Sequence, residues 1–108
     1  MDRSTLIAEV ISIHTARCGL LIEKNKDYAT EDFLSNFKRM QKLCKVLDID
    51  VRRSPGDNAR YLMLLKMDRW CNLLSKGTPP KNESIRDTVL DLHNYIDLAY
   101  ACDIEKGV

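Results

Sequence analysis

Neither sign of charge is in excess in this sequence: 17 Lys and Arg stand against 16 Asp and Glu, a net charge of +1. That balance lacks the basic stripe on which strong non-specific nucleic-acid binding depends. Glycine (4) and proline (3) are scarce and hydrophobic residues make up 44%, which argues against a disordered chain and for one built from long regular elements. The cysteines Cys18, Cys44, Cys71 and Cys102 form no C-x-x-C pair. A zinc site normally presents at least one such close pair, so they read as small buried hydrophobes. A glycine-rich phosphate loop, a serine nucleophile elbow and a Cys-His pair at informative spacing are all missing, and nucleophilic catalysis has no support. No apolar run approaches the length of a membrane span, and the opening MDRSTLIAEV lacks the pattern of a signal peptide. The expectation is a protein without a membrane partner that stays in the cytoplasm where it is made.

What the sequence does contain is helical periodicity, enough for one all-α domain over residues 1–108, a compact bundle of four main helices. A first helix is predicted from about Ser4 to Lys24. Its apolar residues Leu6, Ile7, Val10, Ile11, Ile13, Leu20, Leu21 and Ile22 spread wider than one neighbour would cover. It should therefore sit centrally in the bundle or face a second subunit, and a homo-oligomer is expected. His14 near its middle reads as a satisfied, half-buried histidine. A second helix is predicted over roughly Glu31–Leu47, with Thr30 as N-cap, Glu31 and Asp32 in the first turn, and Phe33, Phe37, Met40, Leu43, Cys44 and Leu47 in period. Arg52 and Arg53 read as a small solvated basic spot. Ser54-Pro55-Gly56-Asp57 is a strong helix start, serine as N-cap and proline in the first turn, and Gly77 a C-cap. The short loop that follows makes helices three and four antiparallel neighbours. The fourth begins near Asn82 or Ser84, where Ser84-x-x-Asp87 forms a capping pattern. Residues from about Asp103 onward should fray.

The chain is organised around KMDRWCNLLSKGTPPKNESIRDTVLDLHNY, Lys66 to Tyr95. At 100° per residue Asp87, Asp91 and Asn94 fall within about 60° of one another, opposite an apolar stripe of Ile85, Val89, Leu92, Ile96 and Ala99. Lys66 falls among Ala59, Leu62, Met63, Trp70 and Leu73, where it must snorkel, find a carboxylate or bind an anion. Upstream, Lys24, Lys26 and Tyr28 could form a mouth offering cations to a phosphate and a ring to a base, or could be a solvated loop with one tyrosine packed back. Asn36 could hydrogen-bond a ligand or cap a neighbour.

Lys66, Arg69, Asn72, Glu83, Ser84, Asp87, Asp91, Asn94 and Tyr95, with a weaker match through Lys24–Tyr28 and Asn36-Phe37, resemble the nucleotide-modification-associated domain of bacteriophages and bacteria. The resemblance covers most of the chain from about Lys24 onward and implies a link to phage nucleotide or DNA-modification biology, without a catalytic mechanism. Three readings follow. In the first, Lys66 and Arg69 hold phosphate, Asp87, Asp91 and Asn94 read hydroxyls, base edges or a metal, and Tyr28, Trp70 and Tyr95 offer stacking surfaces. The protein then binds a nucleotide or a modified or signalling nucleotide, for nucleotide modification or for sequestering an immune signal. In the second, Asp87 and Asp91 hold magnesium, in outline similarity to the MazG-like all-α pyrophosphohydrolases. The E-E-x-x-E motif of those enzymes is absent, however, and their E-x-x-D position reads Thr88-Val89-Leu90-Asp91. In the third, Lys66 or Arg69 pairs with Asp87 or Asp91 across a helix interface and fixes register.

Overall fold

Local chemistry sets most of the helix ends. A computed structural model describes residues 1–28, 32, 34–77, 79–80 and 83–108. Among them the chain forms four helices, α1 (Arg3–Asn25), α2 (Ser35–Leu47), α3 (Pro55–Lys76) and α4 (Ile85–Lys106), so the all-α, four-helix architecture stands. Ser54 caps α3 by accepting from the Asp57 N–H, Ser84 caps α4 by accepting from the Asp87 N–H, and Gly77 closes α3 in the left-handed region at φ 64°. Each satisfies backbone groups that the first or last turn leaves unpaired. Asp48 closes α2 at φ 52°, a conformation that a short polar side chain tolerates.

Two boundaries differ from the sequence expectation. α2 begins at Ser35, after Asp32 has formed a turn by accepting from the Leu34 N–H and pairing with Lys38. Thr30, Glu31 and Phe33 lie outside the described residues, as does Asn82. The C-terminal residues do not fray at Asp103. α4 continues to Lys106, where Gly107 at φ 96° caps it and the Val108 N–H donates to the Asp103 carbonyl.

α3 is the hub. It packs extensively on α4 and more narrowly on α2, and the cross-links Arg60–Asp103 and Lys66–Asp91 show that α3 and α4 run antiparallel. Among the described residues the buried apolar side chains are Met40, Ala59, Leu73, Leu92 and Ala99. Seven polar side chains are buried with them, Asp27, Asn36, Asp57, Asp68, Arg69, Asn72 and Thr88, so polar pairing does much of the work of holding α2, α3 and α4 together. Arg39 grips Asp68 through Nε at 2.7 Å, joining α2 to α3. Asp57 takes Arg53 at 2.8 Å and Arg60 at 3.0 Å, while Arg60 also reaches Asp103 at 2.9 Å. Arg53 is thus a tie across the α2–α3 connection rather than part of a merely solvated basic spot.

α1 behaves otherwise. It packs against none of the other three helices, and none of its residues is buried. Of the two placements expected from its wide apolar surface, the central one does not occur: Leu6, Ile7, Val10, Ile11, Ile13, Leu20, Leu21 and Ile22 are all at least half exposed, and His14, expected half-buried, is exposed. The radius of gyration, 17.9 Å, exceeds the roughly 13 Å of a compact chain of this length accordingly. α1 is also long and apolar enough to cross a membrane by length and composition. The sequence reading missed this because Glu9, His14 and Arg17 interrupt every contiguous apolar run. The cysteines likewise depart from expectation. Cys18 and Cys71 are exposed and Cys44 and Cys102 half-buried, all as free thiols, because α1 has no covering partner and the core is narrow.

Arg53 and then Arg60 hold the Asp57 carboxyl below its usual range, against the opposing effect of burial. Lys66 does the same for Asp91. A carboxyl whose folded value is depressed contributes stability above its unfolded value, and that stability is lost as pH falls through the folded value. Thermal midpoints are therefore expected to hold above about pH 4, the unfolded carboxylate value, and to drop steeply below it. Asp57→Asn should lower the plateau and flatten that acid limb, as a melting series from pH 7 to pH 2 would report.

Candidate functional site

The residues singled out in the sequence fall into three groups in space. The first is a buried polar network where the turn after α1 meets α3 and the start of α4. Asp27 and Arg69 are completely buried and paired at 2.8 Å. Arg69 also donates to the Thr88 hydroxyl and the Glu83 carbonyl, and its Nε lies 3.9 Å from a Glu83 carboxylate oxygen. Asn72, buried beside it, donates from Nδ2 to the Asp27 carbonyl at 3.1 Å. Lys66 meets Glu83 at 2.9 Å and Asp91 at 3.1 Å. Burial opposes the Lys66 charge, but hydrogen bonds to Glu83 and Asp91 raise its pKa overall.

Of the three fates open to Lys66, it therefore takes the carboxylate, and twice. A lysine inside an apolar period requires such partners, and both come from the far side of the α3–α4 loop. The cross-helix pairing of the third sequence reading is present in Lys66–Asp91. Arg69, by contrast, pairs with Asp27 and not with Asp87 or Asp91.

The second group lines a small cavity. Leu21, Lys24, Asn25, Tyr28, Asn36 and Phe37 surround a space of about 160 Å³. Asn36 is 5% exposed, and its Oδ1 has no hydrogen-bond partner among the described residues. Buried carbonyl oxygens rarely stay unpaired, because the lost hydration is not replaced. Tyr28 is half-buried, and burial raises its hydroxyl pKa against the opposing influence of Lys66 and Arg69. The Tyr28 carbonyl accepts from Arg39 at 2.8 Å, which fixes the backbone at the cavity's edge. Phe37, placed by periodicity in the core face of α2, is instead 60% exposed and forms cavity wall.

The remaining candidates stay apart. Lys26 is exposed and pairs with Glu23 at 2.8 Å, while its carbonyl takes Lys76 at 2.6 Å. Asp87 and Asn94 are exposed on the outer face of α4, and Tyr95 is half-buried. Asp87 engages the cap of α4 through its backbone N–H. Its side chain is not brought to Asp91 in a metal-ligating group: no set of three or more His, Cys, Asp or Glu suited to a cation occurs among the described residues. The stripe of Asp87, Asp91 and Asn94 thus divides, with Asp91 at the α3 interface and the other two facing solvent.

Sequence reasoning missed Asp27 and Thr88 as partners of Arg69, and Asp68 as the partner of Arg39. A buried arginine demands an acid, but nothing local identifies one 42 positions away.

No protein-family model matches this chain, and no curated protein and no solved structure is similar to it.

Proposed function

We propose that the protein binds a nucleotide or modified nucleotide by its base, in the cavity between the end of α1 and the start of α2. The unpartnered Oδ1 of buried Asn36 carries this reading. It is an acceptor held in place, and the donors that suit it are the exocyclic amine or ring N–H of a heterocycle. Tyr28 and Phe37 offer aromatic faces to a planar ring, and Lys24 at the rim offers a cation to a phosphate. The volume suits one base rather than a whole nucleotide, since pockets that enclose a complete drug-sized ligand run to about 300 Å³ or more. The resemblance of the Lys66–Tyr95 stretch to the nucleotide-modification-associated domain points to the same ligand class. Binding without turnover suits nucleotide modification or sequestration of a nucleotide signal.

This reading moves Lys66 and Arg69 out of ligand contact. Their bonds to Glu83, Asp91 and Asp27 support a positioning role: they fix the α3–α4 register and hold Asp27, and so Tyr28, beside the cavity.

Calorimetric titration and thermal-shift measurement against nucleobases, nucleosides and mono-, di-, tri- and cyclic nucleotides test the proposal. Each mixture is then assayed for products, with and without magnesium. The expected result is a base-bearing ligand recovered intact, with binding abolished by Asn36→Leu. Lys24→Gln should weaken nucleotides about tenfold while leaving nucleosides unchanged. Binding that survives Asn36→Leu would remove the cavity from the reading. Magnesium-dependent release of pyrophosphate would replace it with the hydrolase.

A further inference from the structure

α1 presents a stripe that is complementary to itself. At 100° per residue, Leu6, Glu9, Ile13, Arg17, Leu20 and Lys24 fall within about 80° of one another, and Asp2 precedes them as the N-cap of α1, its carboxylate accepting from the Thr5 N–H. Read from the N-terminus the order is acid, apolar, acid, apolar, base, apolar, base. Reversed, every acid meets a base and every apolar residue meets an apolar one. We propose that α1 pairs antiparallel with α1 of a second copy of this chain about a two-fold axis at Ile13.

In that pairing Asp2 faces the partner's Lys24, Leu6 the partner's Leu20, Glu9 the partner's Arg17, and Ile13 its own counterpart. An isologous contact of this kind closes on itself and stops at two copies. Arg3 and Glu23, which flank the stripe, stand level with each other by the same symmetry. A parallel pairing would set Glu9 against Glu9 and Arg17 against Arg17, and like charges in contact disfavour it.

The occupant is argued from this charge pattern together with what α1 leaves uncovered. Leu6, Ile13 and Leu20 are 53%, 55% and 55% exposed, and no other helix of the same chain packs on α1. A helix of 23 residues is about 35 Å long, enough for three apolar layers separated by the charged pairs. A lipid bilayer is the poorer occupant, because the same stripe would carry Glu9 and Arg17 into the hydrocarbon. Lys24 is the one residue this inference shares with the ligand reading; the other residues of the stripe lie outside that cavity.

Sedimentation equilibrium of the full chain, run over a concentration series, tests it, with helical content followed by circular dichroism. The wild-type chain is expected to dimerise. Arg17→Glu and Glu9→Arg should each raise the dimer dissociation constant at least about tenfold, since each places like charges in contact. The double exchange Glu9→Arg with Arg17→Glu inverts both ends of the pair and should restore the dimer. Ile13→Asp, which sets two carboxylates at the axis, should give a folded monomer. A wild-type monomer at all concentrations would overturn the proposal. So would a dimer indifferent to Arg17→Glu, or co-flotation with phosphatidylcholine vesicles that removes the chain from solution.

Discussion

Asp27→Ala is expected to destabilise the fold by about 3–5 kcal/mol, the cost of removing one partner from a fully buried ion pair. Asp27 and Arg69 are both 0% exposed, so neither charge can recover water where it stands. With Asp27 gone, the Arg69 guanidinium keeps only the Thr88 hydroxyl and backbone and carboxylate contacts around Glu83. Domains of this size hold roughly 5–15 kcal/mol in total, so the variant should lose a large part of its folded population at 37 °C. The loss has a spatial consequence too. Asp27 is held by Arg69 through its carboxylate and by Asn72 through its carbonyl, and it fixes the neighbouring Tyr28 at the cavity wall. Urea denaturation measures the stability. The discriminating control is Asp27→Leu combined with Arg69→Met, which removes both charges and should cost much less than Asp27→Ala alone. If the double variant is as unstable as the single one, the charge is not what matters at this site.

Leu73→Ala should cost about 2–5 kcal/mol, from lost transfer free energy and the cavity left behind. Leu73 is 3% exposed, and its neighbour Leu74 is 65% exposed. Leu74→Ala should therefore change stability by less than about 0.5 kcal/mol. The contrast is informative because the two leucines are adjacent in sequence and chemically identical. Only about 100° of rotation around α3 separates a side chain inside the α3–α4 contact from one in water. At about 4–8 °C per kcal/mol for a domain near this size, thermal melting should separate the two variants by at least about 6 °C. With five buried apolar side chains among the described residues, Leu73 is a large share of that packing.

Adjacent residues with opposite fates show where sequence information stops. The helix ends at Ser54, Gly77 and Ser84 were legible because capping is a bond between residues two to five apart, and such pairs are visible in the sequence. The four-helix all-α architecture followed from periodicity for the same reason. The need of Lys66 for a carboxylate was legible as a requirement, since a charge inside an apolar period cannot stay unpaired. That Glu83 and Asp91 meet it, and that Asp87 does not, depends on how far α4 is rotated about its axis against α3. Asp27 was beyond reach: its bond to Arg69 closes a loop of 42 residues, and local spacing cannot select among 16 acids.

Asn36 and α1 mark the same limit from opposite sides. Asn36 on α2 was open as a ligand contact or a cap, and it is buried beside the Tyr28 turn with its Oδ1 lacking a partner among the described residues. The apolar residues of α1 were expected under cover, in the bundle's core or against a second subunit, and the core does not take them, because apolar character records that a surface favours cover and not which surface supplies it. Sequence by itself determined the helices, their caps and the requirement that buried charges be paired. Tertiary structure alone decided which charges meet, which asparagine is buried at the cavity and which helix is left without a neighbour. The first set depends on interactions within one or two turns, the second on contacts between residues that only the folded chain brings together.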